Sequence, residues 1–140
     1  GVRTKGTQPA LQAYRIRPDG PERLTHGAPA RAGDRIQLAV VGAEGLYAVV
    51  VSVDEPGAVT LHYPRDGDAV TPLDDPRQAL PRSFELDDAR EFERFHVVTA
   101  RTPIDVDTVI ESARSSGGDA TLDRLPDGSE QATFLLRKTP

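Results

Sequence analysis

The chain has 140 residues, a formal net charge of −5 and a 37% apolar fraction without Trp, Cys or Met. This length suits one domain with a real core, whereas the negative charge argues against a nucleic-acid surface, which needs a basic stripe to displace counterions. The missing thiols exclude disulfides, thiolate metal sites and Cys nucleophiles.

Twelve Gly and twelve Pro favour many short elements joined by turns. Residues 1–8, GVRTKGTQ, read as a flexible leader and 9–140 as one β-rich domain. With Gly at position 1 and no Met, the chain is expected to be a processed or excised piece. It has no 18-residue apolar stretch, so any signal or membrane anchor is expected to lie outside it.

A first strand is expected over Ala10–Arg17, a turn at Pro18-Asp19-Gly20-Pro21 and a short return over Arg23–His26. Gly27 to Gly33 reads as a loop. Ile36, Leu38 and Val40 then mark a strand near Arg35–Val41 with one apolar face. The nearly unbroken apolar run Leu46–Val53 suits a strand buried on both faces. Asp54-Glu55-Pro56-Gly57 supplies a tight turn, and Val59, Leu61 and Tyr63 alternate with Thr60 and His62 in a returning strand that Pro64 ends. This hairpin is the element around which the chain is expected to be organised.

Residues 65–82, with three prolines and four aspartates, read as a surface loop with at most one short strand at Ala69–Thr71. Ser83–Leu86 is a short strand, and Phe92, Phe95, Val97 and Val98 mark another running to about Ala100. Thr102-Pro103 reads as a helix N-cap followed by a first-turn Pro, with Asp105 and Asp107 favoured by the helix dipole. Ile104, Thr108, Ile110 and Ala113 give a helical stripe to Ser115, stopped by Gly117-Gly118. Ala132–Arg137 closes the chain as a last strand. The expected fold is mainly β, an antiparallel sandwich-like domain of seven or eight short strands with one late helix at about 103–115.

Several landmarks occur in a fixed order: Gly33-Asp34 before Ile36, Leu38 and Val40; Leu46-Tyr47-Ala48-Val49; Val53-Asp54 before Gly57; and Val59-Thr60-Leu61-His62-Tyr63-Pro64. Leu80-Pro81, Phe84-Glu85-Leu86, Glu93 through Val98 and Thr102-Pro103 continue the series. Over about residues 33–105 this order resembles the bacterial domain-of-unknown-function family numbered 4384. The chain departs from that pattern at Arg90-Glu91-Phe92, where the family has Gly before the late strand. The resemblance implies an extracytoplasmic module, of a kind attached to kinase-like, anti-sigma-factor-like or other envelope proteins, often behind a membrane helix. With 15 Arg among its 17 basic residues and no Cys or Met, the chain looks like myxobacterial versions. The resemblance implies no reaction.

Candidate chemistry is sparse. His26, His62 and His96 lack zinc-motif spacing and read as ordinary surface or half-buried side chains, with His62 on the solvent face opposite Tyr63. Asp66-Gly67-Asp68, Asp74-Asp75, Asp87-Asp88 and Asp105-Val106-Asp107 lack the remaining oxygens of an EF-hand and read as turn carboxylates or helix N-terminal charges; a calcium site within 65–88 is the sharper alternative. No serine sits in a Gly-x-Ser-x-Gly elbow, and Gly117-Gly118-Asp119 lacks the Lys of a phosphate loop. Tyr47, Tyr63, Phe84, Phe92 and Phe95 are expected in the core, with Tyr63 also able to edge a ligand groove.

The expected function is therefore a non-enzymatic extracytoplasmic (periplasmic) sensory or protein-interaction domain without cofactor or metal. It would be tethered by a membrane helix outside the chain and bind a protein or envelope component, not nucleic acid. Asp66, Asp68, Asp74, Asp75 and Tyr63 are the candidate partner-binding residues. The alternative is a small-ligand-binding or hydrolytic domain with a site built from loops 27–34 and 65–91.

Overall fold

The computed structural model describes residues 8–88 and 91–139, so all but Gln8 of the expected leader lies outside the described residues. In chain order the strands are β1 (Ala10–Arg17), β2 (Gly20–Leu24), β3 (Ala28–Ala30), β4 (Arg35–Val41), β5 (Tyr47–Asp54), β6 (Val59–Tyr63), β7 (Arg77–Ala79), β8 (Phe84–Glu85) and β9 (Phe92–Ala100); helix α1 (Val106–Ser116) and β10 (Glu130–Lys138) follow. They form two five-stranded sheets. One runs β2-β1-β4-β7, with β8 also paired to β4; the other runs β3-β10-β9-β5-β6. The pairings are antiparallel except β3 with β10, which is parallel. The fold is mainly β with one late helix, as expected.

The central hairpin is present, and β5 explains why the molecule has two cores. Ala48 and Val50 face the other sheet, where they join Ile36, Leu38, Val40, Phe95, Val97, Phe134 and Leu136. Val49, Val51 and Val53 face the opposite way and pack with Val98, Val106, Val109 and Ala113 beneath α1. A strand covered on both sides needs a continuous apolar run, and each fully buried Val contributes about 1.5–3 kcal/mol relative to exposure. The turn is fixed by Asp54, whose Oδ1 accepts from the backbone N–H groups of Gly57 (3.1 Å) and Ala58 (2.7 Å), with Gly57 at φ +99°.

Four local expectations are corrected. The helix starts later than Thr102: Ile104 and Ala69 exchange two backbone hydrogen bonds (3.0 and 3.1 Å), which holds Ile104 extended. Asp105 is the N-cap, and the buried face is Val106, Val109, Ser112, Ala113 and Ser116. Gly117 ends the helix as expected, its N–H donating to Ala113 O. The 27–33 segment contains β3, and the 65–82 segment contains β7 together with the Ala69 bridge.

The 65–82 segment is also docked rather than loose. Leu73 and Leu80 are buried in the inter-sheet core and Ala69 beneath α1. Leu73 N–H donates to Leu46 O, Gly45 N–H to Leu73 O and Gly42 N–H to Pro76 O. Finally, Tyr63 does not share a face with Val59 and Leu61. The ladder pairs Val51 with Leu61 but Val50 with Tyr63, so His62 is the extra residue of a bulge and Tyr63 turns to the inter-sheet side. Glu91 takes φ +65°, the left-handed region that Gly adopts without cost.

Candidate functional site

The bulge builds the most chemically furnished cleft. On β5, Ser52 points to the inter-sheet side, opposite Phe95 of β9 and Thr60 of β6. His62, displaced by the bulge, points the same way, and its Nε2 lies 2.7 Å from Ser52 Oγ. This corrects its expected solvent-facing position. Its ring packs on Phe84 (4.6 Å between centroids) and Phe95 (5.5 Å), and those two phenyl rings meet at 5.6 Å. Thr60, Leu61 and His62 form one wall of a cleft of about 310 Å³, and residues 82–87 form the other.

Charge enters at the cleft floor through Glu93, which is buried and lies 3.0 Å from Lys138 Nζ; the same ammonium lies 2.6 Å from Asp87. Burial alone would lower the Lys138 ammonium, but its hydrogen bonds to Asp87 and Glu93 outweigh this and raise it above the ordinary lysine value. Burial lowers His62 to about 4, so its imidazole is neutral at neutral pH. Ser52 and His62 thus stand as a hydroxyl beside a neutral base. Ser52 is among the residues lining the cleft, yet it is 0% exposed.

The other two histidines lie elsewhere. His26 is exposed, accepts from Leu135 N–H at 3.1 Å and meets Phe134 edge-on. His96 is 0% exposed on the helix side of β9, and neither ring nitrogen has a hydrogen-bond partner. Burial, with a smaller push from Arg94, lowers it to about 4.

Among the candidate partner-binding residues, Asp66, Asp68, Asp74 and Asp75 are all exposed. Asp68 is engaged, accepting from Val106 N–H at 3.0 Å over the start of α1. Asp74 and Asp75 follow Leu73 at the other end of the segment, beside the β4–β7 pairing, so the two acidic groups sit on different supports. Tyr63 is half-buried against the inter-sheet core. No group of three or more His, Asp or Glu side chains that could hold a metal ion occurs among the described residues.

Loops 27–34 and 65–91 meet through paired backbone hydrogen bonds, Gly33 N–H to Leu86 O (2.9 Å) and Leu86 N–H to Asp34 O (2.8 Å). They nonetheless line separate clefts: 82–87 the one described, and Pro29 to Asp34 another of about 360 Å³ with Arg15 and Arg17. In the second, Arg15 is held by Asp34 (2.9 Å) and by Pro29 O (3.0 Å), and Arg17 by Glu22 (2.6 Å). A third groove, of about 650 Å³, flanks α1 and carries Asp105, Asp107, Glu111 and Asp123 against Arg124.

Sequence reasoning missed Ser52, Glu93 and Lys138 as partners of the cleft. A Ser flanked by valines on a buried strand is the one local signal, because a buried hydroxyl needs a partner. No helix among the described residues is long and apolar enough to cross a membrane. Comparison with known proteins found no family model and no curated protein that matches the chain.

Proposed function

We propose that the chain is a non-enzymatic extracytoplasmic sensory or protein-interaction domain, the ectodomain of a membrane-anchored envelope or signalling protein, with the acidic 65–88 segment in its contact surface. One observation carries this. The segment is pinned to Leu46, Gly42 and Ile104 by backbone hydrogen bonds, yet Asp66, Asp74 and Asp75 stay exposed. A preordered display of carboxylates loses little entropy on binding, and its field draws a basic partner at a salt-dependent rate. The extracytoplasmic part of the proposal is supported only by the resemblance to the envelope family and by the compatibility of a composition without Cys with an oxidising compartment.

The test is affinity capture from native membranes and periplasm with the wild type and with Asp66→Lys/Asp74→Lys/Asp75→Lys. Because these positions are exposed, the fold is expected to stay intact, which circular dichroism checks. A partner held at low salt and lost from the triple variant supports the proposal; an identical partner profile for both proteins refutes it.

The 310 Å³ cleft favours a second reading, a small-ligand-binding or hydrolytic domain. Full burial of Ser52 weighs against its hydrolytic form. A fluorophosphonate probe that labels Ser52 would reverse that judgement.

A further inference from the structure

β6 ends its sheet, and no described strand pairs with its outer side. Natural sheets blunt such edges with Pro, with charges or by keeping the strand very short. The other edges follow that rule: β2 reads GPERL, β3 is the three-residue APA, and β7 and β8 have three and two residues. β6 reads VTLHY, five residues with neither Pro nor a Lys, Arg, Asp or Glu. Asp54 N–H donates to Ala58 O, and the ladder then pairs Val53 with Val59, Ser52 with Thr60 and Val51 with Leu61. Antiparallel pairs alternate between bonded and non-bonded. The backbone N–H and C=O groups of Val59 and Leu61 therefore turn away from β5, to the side where no described strand pairs.

This least protected edge is one wall of the 310 Å³ cleft. Three carboxylates line the cleft, Glu85, Asp87 and Glu93, against the single lining cation Arg82; Lys138 lies behind Asp87 and Glu93. Phe84 and Leu61 add apolar surface for an alkyl stem.

We propose that β6 is a docking edge for an extended basic polypeptide segment, which adds as a further strand beside Val59–Tyr63 and lays a Lys or Arg side chain into the adjoining acidic cleft. Main-chain hydrogen bonds to Val59 and Leu61 supply the pairing, and the cleft supplies the side-chain preference. A second copy of this chain is the poorer occupant, since β6-to-β6 pairing would bring two acidic clefts together. The inference rests on the interaction-module proposal and names the partner's chemistry.

The probe is a fluorescein-labelled ten-residue peptide of alternating Lys and Val, titrated against the intact chain at physiological salt by fluorescence anisotropy. Saturable binding is expected, with at least a tenfold loss when alternate peptide nitrogens are methylated, which removes strand hydrogen bonds but keeps the charge. Thr60→Lys, a charge on the exposed edge, and Glu85→Lys, in the cleft, should each weaken binding several-fold while leaving the circular dichroism spectrum unchanged. Equal binding of the methylated peptide, or of an alternating Glu-Val peptide, would overturn the proposal. So would a dimer in sedimentation that Thr60→Lys dissociates, because the occupant would then be a second copy. If capture that depends on Asp66, Asp74 and Asp75 persists while these peptide results fail, the β6 site alone is wrong; if both fail, the interaction-module reading falls with it.

Discussion

Asp68 Oδ1 accepts a hydrogen bond from the backbone N–H of Val106 at 3.0 Å, so a residue of the acidic segment caps a helix 38 positions later. Asp105 caps the same helix locally, accepting from Asp107 N–H at 3.0 Å. Two carboxylates therefore meet the donor-rich end of α1, where the helix dipole favours negative charge. The acidic segment and the helix are coupled, and a run of exposed aspartates that looks uniform in sequence includes one, Asp68, that is bonded to the helix start.

That difference is measurable. Asp68→Ala should destabilise the fold by about 1 kcal/mol, the usual cost of a lost helix cap. Asp66→Ala and Asp74→Ala, exposed, should stay within about 0.5 kcal/mol of wild type. Urea denaturation compares all three. A loss at Asp66 equal to that at Asp68 would mean that general charge, not the bond to Val106, sets the effect.

Legibility in the sequence followed periodicity. β1 and β4 were readable to their end residues, and β5, β9 and β10 nearly so, because apolar alternation or an unbroken apolar run extends over seven to nine residues. β3 and β7 were not, because three residues reading APA or RQA carry no period and owe their pairing to β10 and β4. The helix start was misplaced because a tertiary contact, Ala69 with Ile104, overrides the local Thr-Pro signal. The cleft was hidden by one bulge: displacing a single residue reverses the facing of those beyond it, and no feature of VTLHY announces where the extra residue falls.

Val51 tests whether the hairpin organises the fold. It is 0% exposed and faces the helix-side core with Val49 and Val53. Val51→Asp places a carboxylate there without a partner and should cost about 3–5 kcal/mol, enough to unfold a marginal domain. Thermal denaturation followed by circular dichroism decides it. A variant that melts at the wild-type temperature would show that β5 does not hold the two cores together.

Lys138 offers a cleaner contrast, because its neighbours differ in exposure. Its side chain is 4% exposed, Glu93's is 9% and Asp87's is 61%. In Lys138→Met the Asp87 carboxylate can turn to water while Glu93 stays buried and uncompensated, so a loss of about 3–5 kcal/mol is expected. Lys138→Met/Glu93→Leu should recover most of it, since replacing both members of a buried pair by apolar side chains is commonly neutral or stabilising. Linear extrapolation from urea titrations of the three proteins gives the coupling. A single-variant loss below about 1 kcal/mol, the scale of an exposed pair, would show that water reaches Glu93.

The lowered pKa values of His62 and His96 make stability depend on pH on the acid side. Burial lowers His62 and His96 to about 4, and His96 has no hydrogen-bond partner to hold a proton. In the unfolded chain each imidazole titrates near its ordinary value of about 6.5. Between these two values the unfolded state binds more protons than the native state. Stability from these groups is therefore complete above about pH 6.5, declines as the pH falls toward 4, and declines no further below that. At 1.36 kcal/mol per pKa unit the loss is about 3 kcal/mol for each histidine. His96→Leu removes one proton site and two unpartnered nitrogens at similar volume, so it should match or exceed wild-type stability at neutral pH. It should also remove about half of the histidine-dependent decline between about pH 6.5 and 4. Urea midpoints of wild type, His62→Leu and His96→Leu across that range measure the slopes, and nuclear magnetic resonance of the His96 ring reports its protonation directly. If the His96→Leu curve runs parallel to wild type, or the His96 resonance titrates near its ordinary value, the ring is not held neutral by burial.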